Sequence, residues 1–403
     1  MDKTILHCDL NSFFASVELL SHPELRSKPM AVCGDPDTRH GIILAKNEIA
    51  KKYGVKTAET IWQAKRKCPE LQLVGSHHNL YEFYSKKVGE IYLRYTNRIE
   101  PFGIDESWLD VTKSEKLFGD GKTIADKIRA DVKRELNLTL SVGVSFNKIF
   151  AKLASDMKKP DATTVICREN FRALIENLDV SEMIFIGSST AARLKKIGIR
   201  TLGELADAPV QILSAQLGSA AEALHGWANG IADDEVAFYG EQDDVKSLGN
   251  SVTFPHDLLG LEELKAGLSG LADKVSSRLK REKLSGSTIR VQVKTPDFRQ
   301  ILRQTTLPKP TNSRKLIFEK ALELCLQLKA DEYPVRLLGI NLSNIADRNS
   351  RPLPPEQLDL FASEKACDLE KQSKVEDAFE KVRQKFGKNA VFFGNSFNLK
   401  KGD

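Results

Sequence analysis

An apolar run that ends on a carboxylate, Thr4-Ile5-Leu6-His7-Cys8-Asp9, opens this chain and limits what it can fold into. It reads as a short buried strand, and an acidic residue at the end of such a strand needs a charge partner or a cation. A helix is expected from about Ser12, carrying Phe13-Phe14-Ala15-Ser16-Val17-Glu18. Between Tyr81 and Tyr95, apolar residues at Tyr84, Val88, Ile91 and Tyr92 keep the rhythm of an amphipathic helix. Ile99 to Thr112 reads as a hairpin with Pro101, Gly103 and the pair Asp105-Glu106 near its turn, continuing as the strand Ser107-Trp108-Leu109-Asp110-Val111. A helix over 122–136 and a strand from Leu138 to Val144 follow. The order is β, insertion, α, β, β, α, β: the split β-α-β arrangement of a ferredoxin-like sheet, with residues 11–77 inserted after the first strand.

The 403 residues exceed one ordinary core and call for several modules. Short apolar helices punctuated by Gly187, Gly198 and Gly203 fill 184–231, and the acidic stretch 232–246 reads as a linker. From 247 to 345 the pattern is strand, helix, strand pair, helix, strand, a second α+β unit. A Pro-rich connector runs from Ala346 to Glu356, followed by a charged amphipathic helix over 365–386 and a short strand Ala390-Val391-Phe392-Phe393. The fold class expected is therefore α+β and multidomain.

Lys246 to Arg336 holds 17 Lys/Arg against 10 Asp/Glu, while the whole chain carries only +5. A local basic surface beside a near-neutral body suits a nucleic-acid grip, although a solvated charged face would look the same. No apolar run approaches the roughly 18 residues of a membrane span. The first residues lack a signal-peptide pattern, so a cytoplasmic location without membrane contact is expected. The six cysteines lack zinc-ligand spacing and read as buried thiols of a reducing compartment.

In a ferredoxin-like sheet the end of the first strand adjoins the central hairpin, which sets Asp9 beside Asp105 and Glu106. Three carboxylates repel one another unless a divalent cation neutralises them. Oxygen ligands favour magnesium or manganese over zinc. Two such ions about 4 Å apart can activate a hydroxyl and steady a leaving pyrophosphate. Taken singly, an Asp at a strand end is more often a cap.

The neighbouring residues narrow the reading. Asp9-Leu10-Asn11-Ser12-Phe13-Phe14-Ala15-Ser16-Val17-Glu18, Gly103-Ile104-Asp105-Glu106-Ser107-Trp108-Leu109-Asp110, and the segment from Ser141-Val142-Gly143-Val144-Ser145-Phe146-Asn147-Lys148 to Asp156-Met157-Lys158-Lys159-Pro160 resemble, in order and spacing, signature segments of Y-family DNA polymerases of the DinB-like branch. The resemblance runs through residue 361 and implies a palm (1–10 and 78–166), fingers (11–77), a helical thumb (167–231), a linker (232–244), a little finger (245–345) and a C-terminal tail (346–403). It implies low-fidelity, template-directed synthesis across damaged DNA without proofreading, by a monomer acting on primer-template DNA and deoxynucleoside triphosphates. It also implies two Mg²⁺ ions, with Mn²⁺ as a substitute, on Asp9, Asp105, Glu106 and the Leu10 carbonyl. Phe14 matches the steric gate against a 2′-hydroxyl, with Phe13 beside it, and Lys159 matches a lysine that touches the triphosphate. A buried Phe14 or a Lys159 that only complements a helix dipole are the plainer alternatives.

The sequence departs from that pattern in places. Asn11 replaces an acidic residue, and Ala45, Glu48 and Lys51 stand where the family commonly has Thr, Tyr and Arg at the nucleotide. Glu48 is expected to pair with Lys52, leaving Lys51 for the phosphates. Ile186 to Ile199 resembles a helix-hairpin-helix element, whose Gly187 and Ser189 would offer backbone N–H groups to a DNA phosphate, with Ser189 replacing a usual Gly. Arg290, Gln292 and Lys294 alternate along a strand and, with Arg303, form an expected backbone-tracking surface. Gln357-Leu358-Asp359-Leu360-Phe361 resembles a bacterial sliding-clamp-binding peptide through Gln357, Leu358, Leu360 and Phe361. Two rivals share some of these features. A nucleotidyl cyclase uses a similar sheet and paired carboxylates but needs no hairpin, basic strand or clamp peptide. A catalytically silent DNA- or clamp-binding scaffold would tolerate Ala45 and Glu48.

Overall fold

Every residue of the first strand, β1 (Ile5–Leu10), is buried, because its sheet is covered on both faces. The computed structural model describes residues 2–34, 41–232, 235–241 and 244–347, and in the tail 375–376, 378–379, 381–383, 385–387 and 390–391. Two units divide the chain, Met1–Gln242 and Asp243–Asp403. No helix among the described residues is long and apolar enough to cross a membrane.

In chain order the first unit runs β1, α1 (Phe13–Ser21), β2 (Met30–Cys33), β3 (Ile43–Lys46), α2 (Glu48–Lys52), α3 (Ile61–Lys67), β4 (Gln72–Gly75), α4 (His78–Tyr92), β5 (Ile99–Pro101), β6 (Glu106–Asp110), α5 (Glu115–Phe118), α6 (Gly121–Leu136), β7 (Leu140–Ser145), α7 (Lys148–Met157) and β8 (Thr163–Ile166). Five strands form one sheet in the order β5-β6-β1-β7-β8. Its first four have the ferredoxin-like pattern, with β1 antiparallel to both β6 and β7. Strand alternation sends Leu6, Cys8 and Leu10 into a core with Val88 and Ile91 of α4 and Ile124 and Ile128 of α6. Ile5 turns to the opposite face, against Trp108 and Ala151 of α7. The inserted residues build their own small sheet, β3-β2-β4. Its turn is held by Asn47, whose Oδ1 accepts from the N–H groups of Ala50 (2.9 Å) and Met30 (3.1 Å).

Short helices α8 (Phe171–Ile175), α9 (Ser188–Lys196), α10 (Leu202–Asp207), α11 (Val210–Leu217) and α12 (Ala221–Ala228) follow. They share one core with Phe150 and Leu153 of α7. The stretch read as a linker, 232–244, is in part a packed strap. Val236 is fully buried, its carbonyl accepts from Arg98 (3.0 Å), and the Tyr239 N–H donates to the Asn97 carbonyl (2.9 Å). The apolar residues Val236, Phe238 and Tyr239 inside an acidic segment explain the difference.

The second unit is β9 (Ser247–Leu258), α13 (Gly260–Arg281), β10 (Leu284–Lys294), β11 (Gln300–Thr311), α14 (Arg314–Gln327) and β12 (Val335–Asp347), with sheet order β11-β10-β12-β9. Residues 375–386, where described, are helical and dock on this unit. Glu376 is 6% exposed and accepts from the backbone N–H groups of Arg314 (3.1 Å) and Lys315 (3.2 Å), with Lys280 at 3.0 Å. It thereby caps α14, whose own N-cap Ser313 makes no side-chain cap bond. Arg383 holds Asp273 through two hydrogen bonds, 3.0 and 2.9 Å. Ala390 and Val391 are not in a strand, contrary to the expected strand 390–393, and the rest of that strand lies outside the described residues.

The closest packing in the first unit is α7 on β7. Gly143 stands opposite His7 in the register, and a Cβ there would lie 1.9 Å from the Ala151 carbonyl oxygen and 2.5 Å from the Ser155 nitrogen. No side chain fits without lifting the helix from the sheet. Gly143→Ala is expected to destabilise the fold by on the order of 3 kcal/mol or more. Urea denaturation checks this, and a loss below about 1 kcal/mol would mean that α7 has room to spare.

Candidate functional site

Asp9 lies at the end of β1, opposite Glu106 on one side and Ser141 on the other. The Leu10 N–H donates to the Asp105 carbonyl (3.0 Å), which draws the hairpin turn against the strand end. Among the described residues, His7, Asp9 and Glu106 offer ligand atoms all within 4.8 Å of one another. Asp9 is 6% exposed and His7 fully buried. Asp105 is not in this group. Its side chain lines a neighbouring cleft of about 200 Å³ with Leu10, Tyr92 and Tyr239.

Two lysines answer the negative charge. Lys152 on α7 sets its Nζ 3.1 Å from Asp9 Oδ2, 3.1 Å from Glu106 Oε2 and 3.2 Å from Asp156 Oδ2. Lys159, just past α7, lies 2.7 Å from Asp9 Oδ2 and 2.8 Å from Asp156 Oδ1. Burial and the charges of Asp9 and Glu106 push the Asp105 carboxyl up to about 6. Burial also acts against the Glu106 carboxylate, yet the contacts with His7 and the Lys152 ammonium outweigh it and hold this group low. On Lys152, burial is outweighed by Asp9, Asp156 and Glu106, so its ammonium is held above the usual range.

Sequence reasoning gave no role to His7, Lys152 or Asp156. His7 could have been found from strand alternation, since Ile5, His7 and Asp9 share a face. Its Nδ1 is 2.9 Å from Ser155 Oγ, which itself donates to the Lys152 carbonyl. Its Nε2 points at Glu106 Oε2 (3.4 Å), the oxygen that also meets the Lys152 ammonium. Burial lowers the pKa of this imidazole. Asn11, where an acid was expected, donates to Ser141 Oγ (3.0 Å) and accepts from the Asp161 N–H (2.8 Å). It ties the strand end to the loop that carries Lys159.

On the adjoining helix α1, Phe13 is 3% exposed and packs in the core. Its ring therefore serves the core, and any contact of Phe13 with a nucleotide would fall to its backbone. Phe14 is only partly buried, stacked on Tyr81 with centroids 4.0 Å apart. Glu48 accepts from Ser12 Oγ (3.3 Å) and pairs with Lys51 (3.7 Å). The expected pairing with Lys52 is thus corrected: α2 is a single short turn, and its i,i+3 neighbour is the one in reach.

Gly187 caps α9, and Ser189 lies in its first turn. In the second unit, Ile289, Val291 and Val293 of β10 are buried while Arg290 is exposed and Gln292 and Lys294 are half-buried. The open face they share forms a cavity of about 700 Å³ with Gly249, Ser251, Gly339 and Asn341. Arg290 donates to Gln304 (3.0 and 2.8 Å). Arg303 is opposite Val291, not Arg290. Its side chain therefore leaves β11 on the helix-covered side, which corrects its grouping with Arg290 and Lys294. The peptide Gln357, Leu358, Leu360 and Phe361 lies outside the described residues.

The impB/mucB/samB family matches residues 8–156, its C-terminal domain 245–360, and the IMS family HHH motif 168–199. DNA polymerase IV of Acetivibrio thermocellus is 43% identical over 391 residues, 97% of this chain and 96% of that protein. DNA polymerase IV of Clostridium kluyveri is 36% identical over 98% of both. A solved Y-family DNA polymerase chimera superposes with a TM-score of 0.76 at 27% identity, covering 85% of this chain and 99% of its own.

Asp105 links the site to stability. Its carboxyl titrates near 3.8 in the unfolded chain and near 6 in the fold. The raised value means that the fold takes up a proton as pH falls through 6, and that ionised Asp105 costs the metal-free protein stability above it. Asp105→Asn should add on the order of 2 kcal/mol at about pH 7.5, fading to nothing by about pH 4. Urea denaturation of metal-free protein at both pH values checks this, and an equal gain at both would trace the effect to something other than the charge.

Proposed function

The chain belongs to the impB/mucB/samB family, the Y-family DNA polymerases, as a DNA-directed DNA polymerase of the translesion kind, and we propose that it works by two-metal-ion nucleotidyl transfer at Asp9, Asp105 and Glu106. The carrying observation is the meeting of Asp9 and Glu106 at paired strand positions, their ligand atoms and that of His7 all within 4.8 Å of one another. A hard divalent cation fits that donor set: the carboxylate oxygens supply charge, and the raised Asp105 carboxyl marks negative charge in excess of what the lysines balance. Asp9, Asp105, Glu106 and the Leu10 carbonyl would hold the ions, Mg²⁺ in the first place and Mn²⁺ as a substitute. Bound there, they supply an activated primer 3′-hydroxyl and charge neutralisation on the leaving pyrophosphate.

The chain's own residues do the rest. Phe14, braced by Tyr81, presents a ring edge that leaves no space for a 2′-hydroxyl. Lys159, with Lys51 further off on α2, supplies positive charge to the triphosphate. The first turn of α9, at Gly187 and Ser189, holds a DNA phosphate by backbone N–H groups, and Arg290 and Lys294 track the backbone from the open face of β10. Low fidelity without proofreading, action as a monomer in the cytoplasm, and tethering to a sliding clamp by Gln357 to Phe361 belong to the same proposal and rest on family membership and the motif.

One primer-extension experiment in magnesium tests it. Asp105→Ala with Glu106→Ala should abolish extension and leave primer-template affinity within about twofold. Phe14→Ala should admit ribonucleotides, and Leu360→Ala with Phe361→Ala should remove only the stimulation by added clamp. Extension by the double carboxylate variant at more than about 5% of the wild-type rate would sink the metal assignment, and a cyclic product from ATP alone would point to cyclase chemistry.

A further inference from the structure

Lys152 and a divalent cation want the same oxygens. The atoms that Lys152 grips, Asp9 Oδ2 and Glu106 Oε2, belong to the residues that gather within 4.8 Å as a ligand set. An ammonium about 3 Å from both repels an arriving cation, and at that range in a partly buried site the repulsion is not screened away. The third partner of Lys152, Asp156, is on α7 and not on the sheet, one helical turn on at i+4. It also holds Lys159 at i+3, with 39% of its own side chain exposed. Asp156 can therefore keep both ammoniums paired when they let go of Asp9 and Glu106, so that neither lysine has to be left with no counter-ion beside it.

We propose that Lys152 is the resident counter-ion of the metal-free site and that Asp156 is the positioning residue that receives it. The pair thereby sets the free enzyme's affinity for divalent cations. In the empty site the lysines relieve carboxylate repulsion and keep the strand end folded. In the loaded site the same charges are stored on Asp156, and Lys159 is turned outward along the site's rim. This rests on the proposed metal assignment to Asp9, Asp105 and Glu106.

The test is Mn²⁺ binding to metal-free, full-length protein without DNA or nucleotide, followed by electron paramagnetic resonance of the free ion. Removing the competing charge by Lys152→Met should tighten binding by about three- to tenfold. Removing the receiving carboxylate by Asp156→Asn should weaken it by a similar factor, because Lys152 then stays on Asp9 and Glu106. Combining the two should recover most of the affinity of Lys152→Met, short of it only by what Lys159, which Asp156 also holds, then takes from Asp9. Weaker or unchanged binding in a folded Lys152→Met, or an Asp156→Asn protein that binds like wild type, overturns the proposal. Should Lys152→Met fail to fold, Asp156→Asn alone still decides. Asp105→Ala with Glu106→Ala separates the two layers. Retained Mn²⁺ binding in that variant refutes the metal assignment itself, whereas lost binding with no tightening in Lys152→Met refutes only the role of the lysine.

Discussion

A carboxylate at the end of a strand buried on both faces is the constraint from which the rest of the first unit follows. Asp9 cannot be solvated there as it would be in water, so compensating charge has to be carried to it. Helix α7 and the turn just past it carry it, with Lys152 and Lys159 both reaching Asp9 Oδ2. The helix reaches that position because Gly143 offers no side chain between it and the sheet. Asn147 starts the helix by accepting from the Phe150 N–H (2.8 Å), and Asn11 fixes the loop at its end. Strand, glycine, helix and lysines thus form one electrostatic unit, and each would be poorly placed without the others.

An enzyme acting on polyanions here carries little excess charge, since 60 Lys and Arg stand against 55 Asp and Glu for a net +5. Attraction for nucleic acid has to come from elsewhere, and the second unit holds the local surplus of Lys and Arg. Its open face sets Arg290, Gln292 and Asn341 beside Leu302 and keeps Gly249 and Gly339 where a side chain would crowd Asn341 or Ser251. A shallow channel of this kind suits the proposed grip on a phosphate backbone, which reads no bases. The tail helix is fixed to the same unit on the helical layer by Glu376 and Arg383, so residues far along the chain contribute to its stability.

Much of this was legible in the sequence. The element order of both units follows from hydrophobic period, and the ferredoxin-like order alone brings Asp9 next to Glu106. Resemblance set Phe13 beside Phe14 at the nucleotide, and the tertiary packing placed the Phe13 ring in the core. Arg303 was misgrouped because the face it occupies depends on the pairing Lys294 with Gln300 across the turn. One residue more or less in that turn would reverse every side chain of β11. Glu48 was paired with Lys52 instead of Lys51 because sequence spacing allows both i,i+3 and i,i+4 partners, and only the short turn of α2 brings Lys51 into reach.

By itself the sequence determined the periodic elements, their order, and the acidic, aromatic and basic residue types from which the site is made. These are properties of short stretches, set by backbone geometry and side-chain alternation that each segment carries with it. Only the tertiary structure decided which charges meet. Lys152 and Asp9 are 143 positions apart, and His7 and Ser155 are 148 apart. No local pattern encodes such pairs, because the free energy of a buried charge depends on what the fold brings within a few ångströms of it.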